Sequence, residues 1–117
     1  MDTLSAIAEP SRRKIVQLLA LQGTLSASEI AGHFESSAPA ISQHLQVLRE
    51  SKTVSVTRQA QKRIYSLNPE SLREVSAWLF DITNQWEQRL DKLQSLLVTQ
   101  KNKTPVSPRS PSKKGKR

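Results

Sequence analysis

The 117-residue sequence contains no cysteine, and that one absence removes disulfides, thiolate metal sites and thiol redox switching together. Glycine occurs only three times, and no glycine-rich phosphate-binding loop can be found among those positions. No serine, histidine and acid come with a nucleophile elbow, and no paired metal ligands recur, so the enzyme reading has little to stand on. No stretch approaches the roughly 18 uncharged apolar residues that a membrane span requires. Arg12, Arg13 and Lys14 interrupt the segment where a secretory signal would need its apolar run. These absences predict a soluble, cytoplasmic protein of one domain plus appendages, without cofactor or membrane partner.

Acidic charge is missing from the end of the chain. Lys101, Lys103, Arg109, Lys113, Lys114, Lys116 and Arg117 face no acid, so residues 101–117 hold +7 of the formal +8. With three prolines and several Ser and Thr, that stretch cannot bury enough surface to order itself and is expected to be a disordered basic tail. The folded part, residues 1–100, is polarised instead. Residues 36–65 carry five bases against one acid, Glu50, while the segments on either side are slightly negative.

What is present reads as helices around a small hairpin. Asp2 can cap a short helix carrying Leu4 and Ile7, and Pro10 suits the first turn of a second helix. Ile15, Leu18 and Leu19 form the buried stripe of that helix, which Gly23 ends. Ser26 and Glu29 have capping-box spacing, with Leu25 able to staple to Ile30, which starts a brief third helix running to about Phe34. Ser36-Ser37 supplies the next cap, and a fourth helix to about Glu50 places Ile41, Leu45 and Leu48 at i, i+4, i+7. Two such helices joined by a few residues make a minimal helix-turn-helix. Val54 to Thr57 and Arg63 to Leu67 then alternate with strand period, and Arg58 to Lys62 between them reads as a wing tip. Without a glycine there, a loose loop is expected in preference to a tight two-residue turn.

Asn68-Pro69 opens a last helix that no breaker interrupts until about Thr99, on the order of 45 Å long at 1.5 Å per residue. Leu72, Val75, Leu79, Ile82 and Trp86 fall at alternating steps of three and four, and Leu90, Leu93 and Leu97 continue the stripe. Such a seam needs a partner helix. Trp78 and Trp86 flank it and read as interface packing, leaving any small-molecule effector unlocated.

On the fourth helix, Pro39, Ser42, Gln43 and Gln46 lie opposite the apolar stripe, with Ser37 and Ala38 at its start. Neutral, short and amide side chains on the N-terminal half of a recognition helix can meet base edges. Arg49, Lys52, Arg58, Lys62 and Arg63 in the same unit are placed to meet phosphates of double-stranded DNA. His33 reads as a helix C-terminal dipole partner and His44 as a packed core histidine.

Residues 3 to about 97 resemble the ArsR-type winged helix-turn-helix repressors. The resemblance rests on Ala8-Glu9-Pro10-Ser11-Arg12-Arg13-Lys14-Ile15, on Ser37-Ala38-Pro39-Ala40-Ile41-Ser42-Gln43-His44-Leu45-Gln46-Val47-Leu48-Arg49, and on Arg63-Ile64-Tyr65-Ser66-Leu67. It implies a mainly α winged helix-turn-helix fold with a small β-hairpin and a long C-terminal dimerisation helix. It further implies a homodimer through the first and last helices, with Leu4 and Ile7 joining Leu72, Val75, Leu79, Ile82, Trp86, Leu90 and Leu93. Repression by blocking promoter access is the implied activity. Many members sense metals through cysteines, or through histidines and carboxylates on the last helix. This chain has no cysteine and no histidine on that helix, so it resembles a branch without metal sites. The family pattern also places an Ala-Gly pair after the recognition helix and a glycine in the wing, where this chain has Ser51-Lys52-Thr53 and Gln59-Ala60-Gln61. The rival reading is a protein-interaction module whose long helix binds another protein.

Overall fold

The computed structural model describes residues 1–101; the tail expected to be disordered lies, from residue 102 on, outside the described residues. Asp2 caps helix α1 (Thr3–Ala8), its carboxylate accepting the Ser5 N–H at 2.9 Å. A six-residue helix cannot persist alone, and its last carbonyls need donors. They find them on α2 (Pro10–Gln22): Arg12 Nε donates to the Ala6 carbonyl at 2.7 Å, and Arg13 Nη1 to those of Ile7 and Ala8 at 3.0 and 3.2 Å. Gly23, at φ +92°, ends α2 by donating its N–H to the Leu19 carbonyl.

Strand β1 (Thr24–Ser26) follows, three residues that the capping signal at Ser26 hid from the sequence. The capping box itself forms at the start of α3 (Ala27–Ala31). Ser26 Oγ accepts the Glu29 N–H at 3.2 Å, and Glu29 Oε1 accepts the Ser26 N–H at 2.8 Å. The helix ends earlier than Phe34 because Gly32 caps it, and the next two N–H groups bond three residues back in a turn. Helix α4 (Ala38–Glu50) is followed by β2 (Val54–Gln59), β3 (Lys62–Leu67) and α5 (Pro69–Lys101).

The sheet is antiparallel in the order β1-β3-β2, so the expected hairpin gains a third strand along β3. Tyr65 pairs with Leu25 on one side and Val56 on the other. The core gathers Ala6 of α1, Ile15 and Leu19 of α2, Ile30 of α3, Ile41, Leu45 and Leu48 of α4, and Val54 and Tyr65 of the sheet. Leu18, expected in that stripe, is half-buried, since it lies on the flank of α2 and not on the line of Ile15 and Leu19.

The chain divides into two units. Met1–Trp78 holds α1 to α4, β1 to β3 and the first turns of α5. The second begins at Leu79 and, among the described residues, is the remainder of α5.

The capping box gives the fold a pH dependence. Hydrogen bonds from the Ser26 backbone and hydroxyl, with Lys62 and His33 adding positive charge, hold the Glu29 carboxyl below the ordinary glutamate range. A folded value lower than the unfolded one contributes stability above the unfolded value of about 4.3, lost as pH falls through the folded one. Glu29→Gln keeps the box, because glutamine serves equally at that position, but removes the titration. Melting temperatures followed from pH 6 down to 3 are expected to fall less steeply for the variant; parallel curves would show that Glu29 is not held this way.

Candidate nucleic-acid interface

Helix α4 is fixed by what it buries and by how it starts and stops. Ile41, Leu45 and Leu48 are each no more than 2% exposed. Ser37 caps the helix, its Oγ accepting the Ala40 N–H at 3.3 Å, and Pro39 stands in the first turn. At the other end the Thr53 N–H donates to the Leu48 carbonyl at 2.9 Å and the Lys52 N–H to that of Arg49 at 3.0 Å. That pair of bonds is a Schellman motif, whose middle residue must be left-handed. Lys52 occupies it at φ +63°. A side chain there costs about 1–2 kcal/mol, which is why glycine is the usual occupant.

The turn after α4 is bonded from two sides. Thr3 Oγ1 of α1 donates to the Ser51 carbonyl at 3.4 Å. From the start of α5, Asn68 Nδ2 and Ser71 Oγ both donate to the Lys52 carbonyl, at 2.8 and 2.6 Å, and the Asn68 N–H donates to the Thr53 carbonyl at 2.9 Å. Thr53, fully buried, is satisfied through these bonds and a 2.8 Å contact to the Ser51 hydroxyl.

The wing differs from the expected loose loop. Gln59 pairs directly with Lys62, leaving a two-residue tip of Ala60 and Gln61, with Ala60 at φ +56°. The missing glycine does not prevent a tight turn, because an alanine carries the left-handed strain. Among the described residues the left-handed non-glycine residues are Lys52 and Ala60, each inside one of the two segments where the family pattern has glycine and this chain does not.

Arg58 and Arg63 stand opposite each other in register, on the same sheet face as Val56 and Tyr65 but beyond the core. Like charges directly opposed across two strands destabilise them. Lys62, paired with Gln59, adds a third cation on the other face. All eleven residues singled out for DNA are exposed: Ser37, Ala38, Pro39, Ser42, Gln43, Gln46, Arg49, Lys52, Arg58, Lys62 and Arg63. The structure gathers them on α4, the turn after it and the hairpin. His44 differs from its expected place in the core: it is half-buried, with Nδ1 4.0 Å from Glu9 Oε1. His33 is exposed just beyond α3. Among the described residues no three His, Cys, Asp or Glu gather to hold a metal ion, and no helix is long and apolar enough to cross a membrane.

The residues read as a dimer interface are nowhere fully buried. In the first unit Leu4 is exposed, and Ile7, Leu72 and Val75 are half-buried. In the second, Leu79, Ile82, Trp86 and Leu93 are exposed and Leu90 half-buried. The sequence did not reveal the hydrogen bonds of Thr3, Asn68 and Ser71 to the turn after α4, nor a bond between Gln46 and Glu50. The last of these had a signal, since an amide and an acid four apart on a helix are neighbours.

A short helix, a six-residue connection, an exposed second helix and a β-hairpin define a winged helix-turn-helix protein. Residues 9–55 match the profile of the bacterial regulatory proteins of the arsR family. The chain is 37% identical over 89 residues to the transcriptional repressor SdpR of Bacillus subtilis, covering 76% of this chain and 98% of that protein. It is 33% identical over 99 residues to the HTH-type transcriptional regulator Rv2034 of Mycobacterium tuberculosis, covering 85% of this chain and 89% of that one. A solved structure described as a possible transcriptional regulator for arsenical resistance superposes with a TM-score of 0.65 at 41% identity, over 81% of this chain and 95% of its own. The protein belongs to the arsR family, and it is a DNA-binding transcriptional regulator, not an enzyme.

Proposed function

We propose that this chain represses transcription in the cytoplasm as a homodimer on an inverted-repeat operator. The exposed face of α4 from Pro39 to Gln46, with Ser37 and Ala38 at its start, reads bases, while Arg49, Lys52, Arg58, Lys62 and Arg63 hold phosphates. One observation carries the reading: Arg58 and Arg63 oppose each other across the wing with no acid in either strand, a repulsion that a polyanion relieves. Twofold symmetry then asks for half-sites centred about 10 base pairs apart, or a multiple of that. Sensing is not by thiolate, since the chain has none. The repressors among its relatives support the sign of regulation.

Selection of genomic fragments by the full chain at about 0.15 M salt, where non-specific binding is weakened, is expected to enrich an inverted repeat near promoters. Recovery of no common sequence would favour the protein-interaction module instead. Two variants separate the roles within the surface. Gln43→Ala is expected to cost about 1–3 kcal/mol of discrimination at a single operator position. Arg58→Ala should weaken binding to every sequence alike and reduce the salt slope by about one. Fluorescence anisotropy against mismatched operators at several salt concentrations checks both, and no change in either variant would count against DNA contact by this face.

A further inference from the structure

The single acid in the basic stretch 36–65, Glu50, stands on the face of α4 where it would repel phosphates most. At 100° per residue, Pro39, Gln43, Gln46 and Glu50 fall within about 60° of arc, opposite Ile41, Leu45 and Leu48. The close contacts between basic and acidic side chains among the described residues are Arg73 with Glu70 and His44 with Glu9, and Glu50 takes part in neither, although Arg49 is its neighbour. Its partner is a neutral amide. Gln46 Nε2 donates to Glu50 Oε2 at 3.1 Å, one turn earlier, with both groups exposed.

We propose that Glu50 is a positioning residue for base recognition, holding the Gln46 side chain in the one orientation that reads adenine. The inference rests on α4 being the DNA-reading element. A glutamine amide offers two N–H donors and one oxygen. With the N–H anti to Oε1 engaged by the Glu50 carboxylate, as this inference requires, the other N–H and Oε1 project side by side as donor and acceptor. That order complements N7 and the N6 amino group of adenine in the major groove. An exposed amide without the carboxylate turns freely between its two orientations, and binding must then freeze it. The charge meanwhile weakens attraction to all DNA alike. Glu50 therefore lowers general affinity and sharpens discrimination, which is how specificity is built as a difference between partners.

The test measures base preference at every position of a randomised operator library with the full chain, for wild type, Gln46→Ala, Glu50→Ala, Glu50→Gln and the double alanine variant. Circular dichroism verifies that each is folded. Wild type is expected to prefer adenine at one position per half-site by roughly five-fold or more, the lower end for a bidentate contact. Gln46→Ala and Glu50→Ala should both flatten that same position, and the double variant should lose no more than Gln46→Ala alone. Glu50→Gln, whose Oε1 still accepts the amide N–H, should retain the preference; a purely ionic role would not allow that. A Glu50→Ala protein that binds all sequences more tightly with its adenine preference intact overturns the inference, as does flattening at a different position. Wild type without any preferred sequence would overturn the DNA-reading role of α4 and this inference with it, so the two failures are distinct.

Discussion

Replacing Leu79 and Ile82 together with aspartate is expected to yield monomers and to weaken operator binding by about 10²–10⁴-fold, the gain that bivalent engagement supplies. Both side chains are exposed in the protomer, at 49% and 44%, so their loss removes little from its own core. With Trp86 and Leu93 they form an apolar stripe too extensive to be the scattered surface leucines that need no explanation. Charges placed there must be buried unpaired if the helices still associate, which costs several kcal/mol per ion. Light scattering gives the mass, anisotropy gives the affinity, and an unchanged melting profile of the diluted protomer shows that the fold survives. Tight operator binding by a verified monomer would sink the bivalent mechanism. A variant that remains dimeric would place the interface elsewhere.

Leu48→Ala is expected to cost about 2–5 kcal/mol of folding stability, as truncations of fully buried leucines do. A domain with about 5–15 kcal/mol in total feels that as a large fraction. Leu48 is 0% exposed, and its carbonyl accepts the Thr53 N–H that closes the end of α4. The cavity would therefore open where α4 is anchored. Gln43→Ala, five residues earlier on the same helix but exposed, should stay within about 0.5 kcal/mol of wild type in urea unfolding. On DNA the pair is expected to invert: Gln43→Ala should change base preference and a folded remnant of Leu48→Ala should not. A Leu48→Ala protein as stable as wild type would mean that α4 does not pack as described.

Much of this architecture is legible in the residues because its signals are local. Ser26 with Glu29, Ser37 before Ala38-Pro39, and Ile41, Leu45 and Leu48 each specify their element within a turn or two of chain. The features that escaped are those fixed by distant partners or by strain. Thr24 to Ser26 become a strand because β3 lies alongside, 40 residues away in register, and three residues carry no strand period of their own. The tight wing was unreadable for a different reason: glycine marks where a left-handed residue is easy, not where one is required. Ala60 and Lys52 hold that conformation because the ladder from Val54 to Gln59 and the helix end around Leu48 leave the backbone no other course. The candidate DNA residues were legible as an exposed face because exposure follows from the helical period. The Arg58–Arg63 opposition was not, since it depends on hairpin register.

The turn that closes α4 has a mechanical consequence. Thr3, Asn68 and Ser71 reach its carbonyls from α1 and from the first turn of α5, the two elements that carry the candidate dimer surface. Each hydrogen bond is worth roughly 1 kcal/mol. The small set at Ser51, Lys52 and Thr53 thus spans the 1–3 kcal/mol by which coupled sites shift one another's affinity. A torque on the first turn of α5 reaches the backbone that ends α4 through the Asn68 N–H and the short side chains of Asn68 and Ser71. The spacing of two recognition helices across a dimer would be set at this joint, and an inducer would need to disturb only a few hydrogen bonds to move them out of step with the groove.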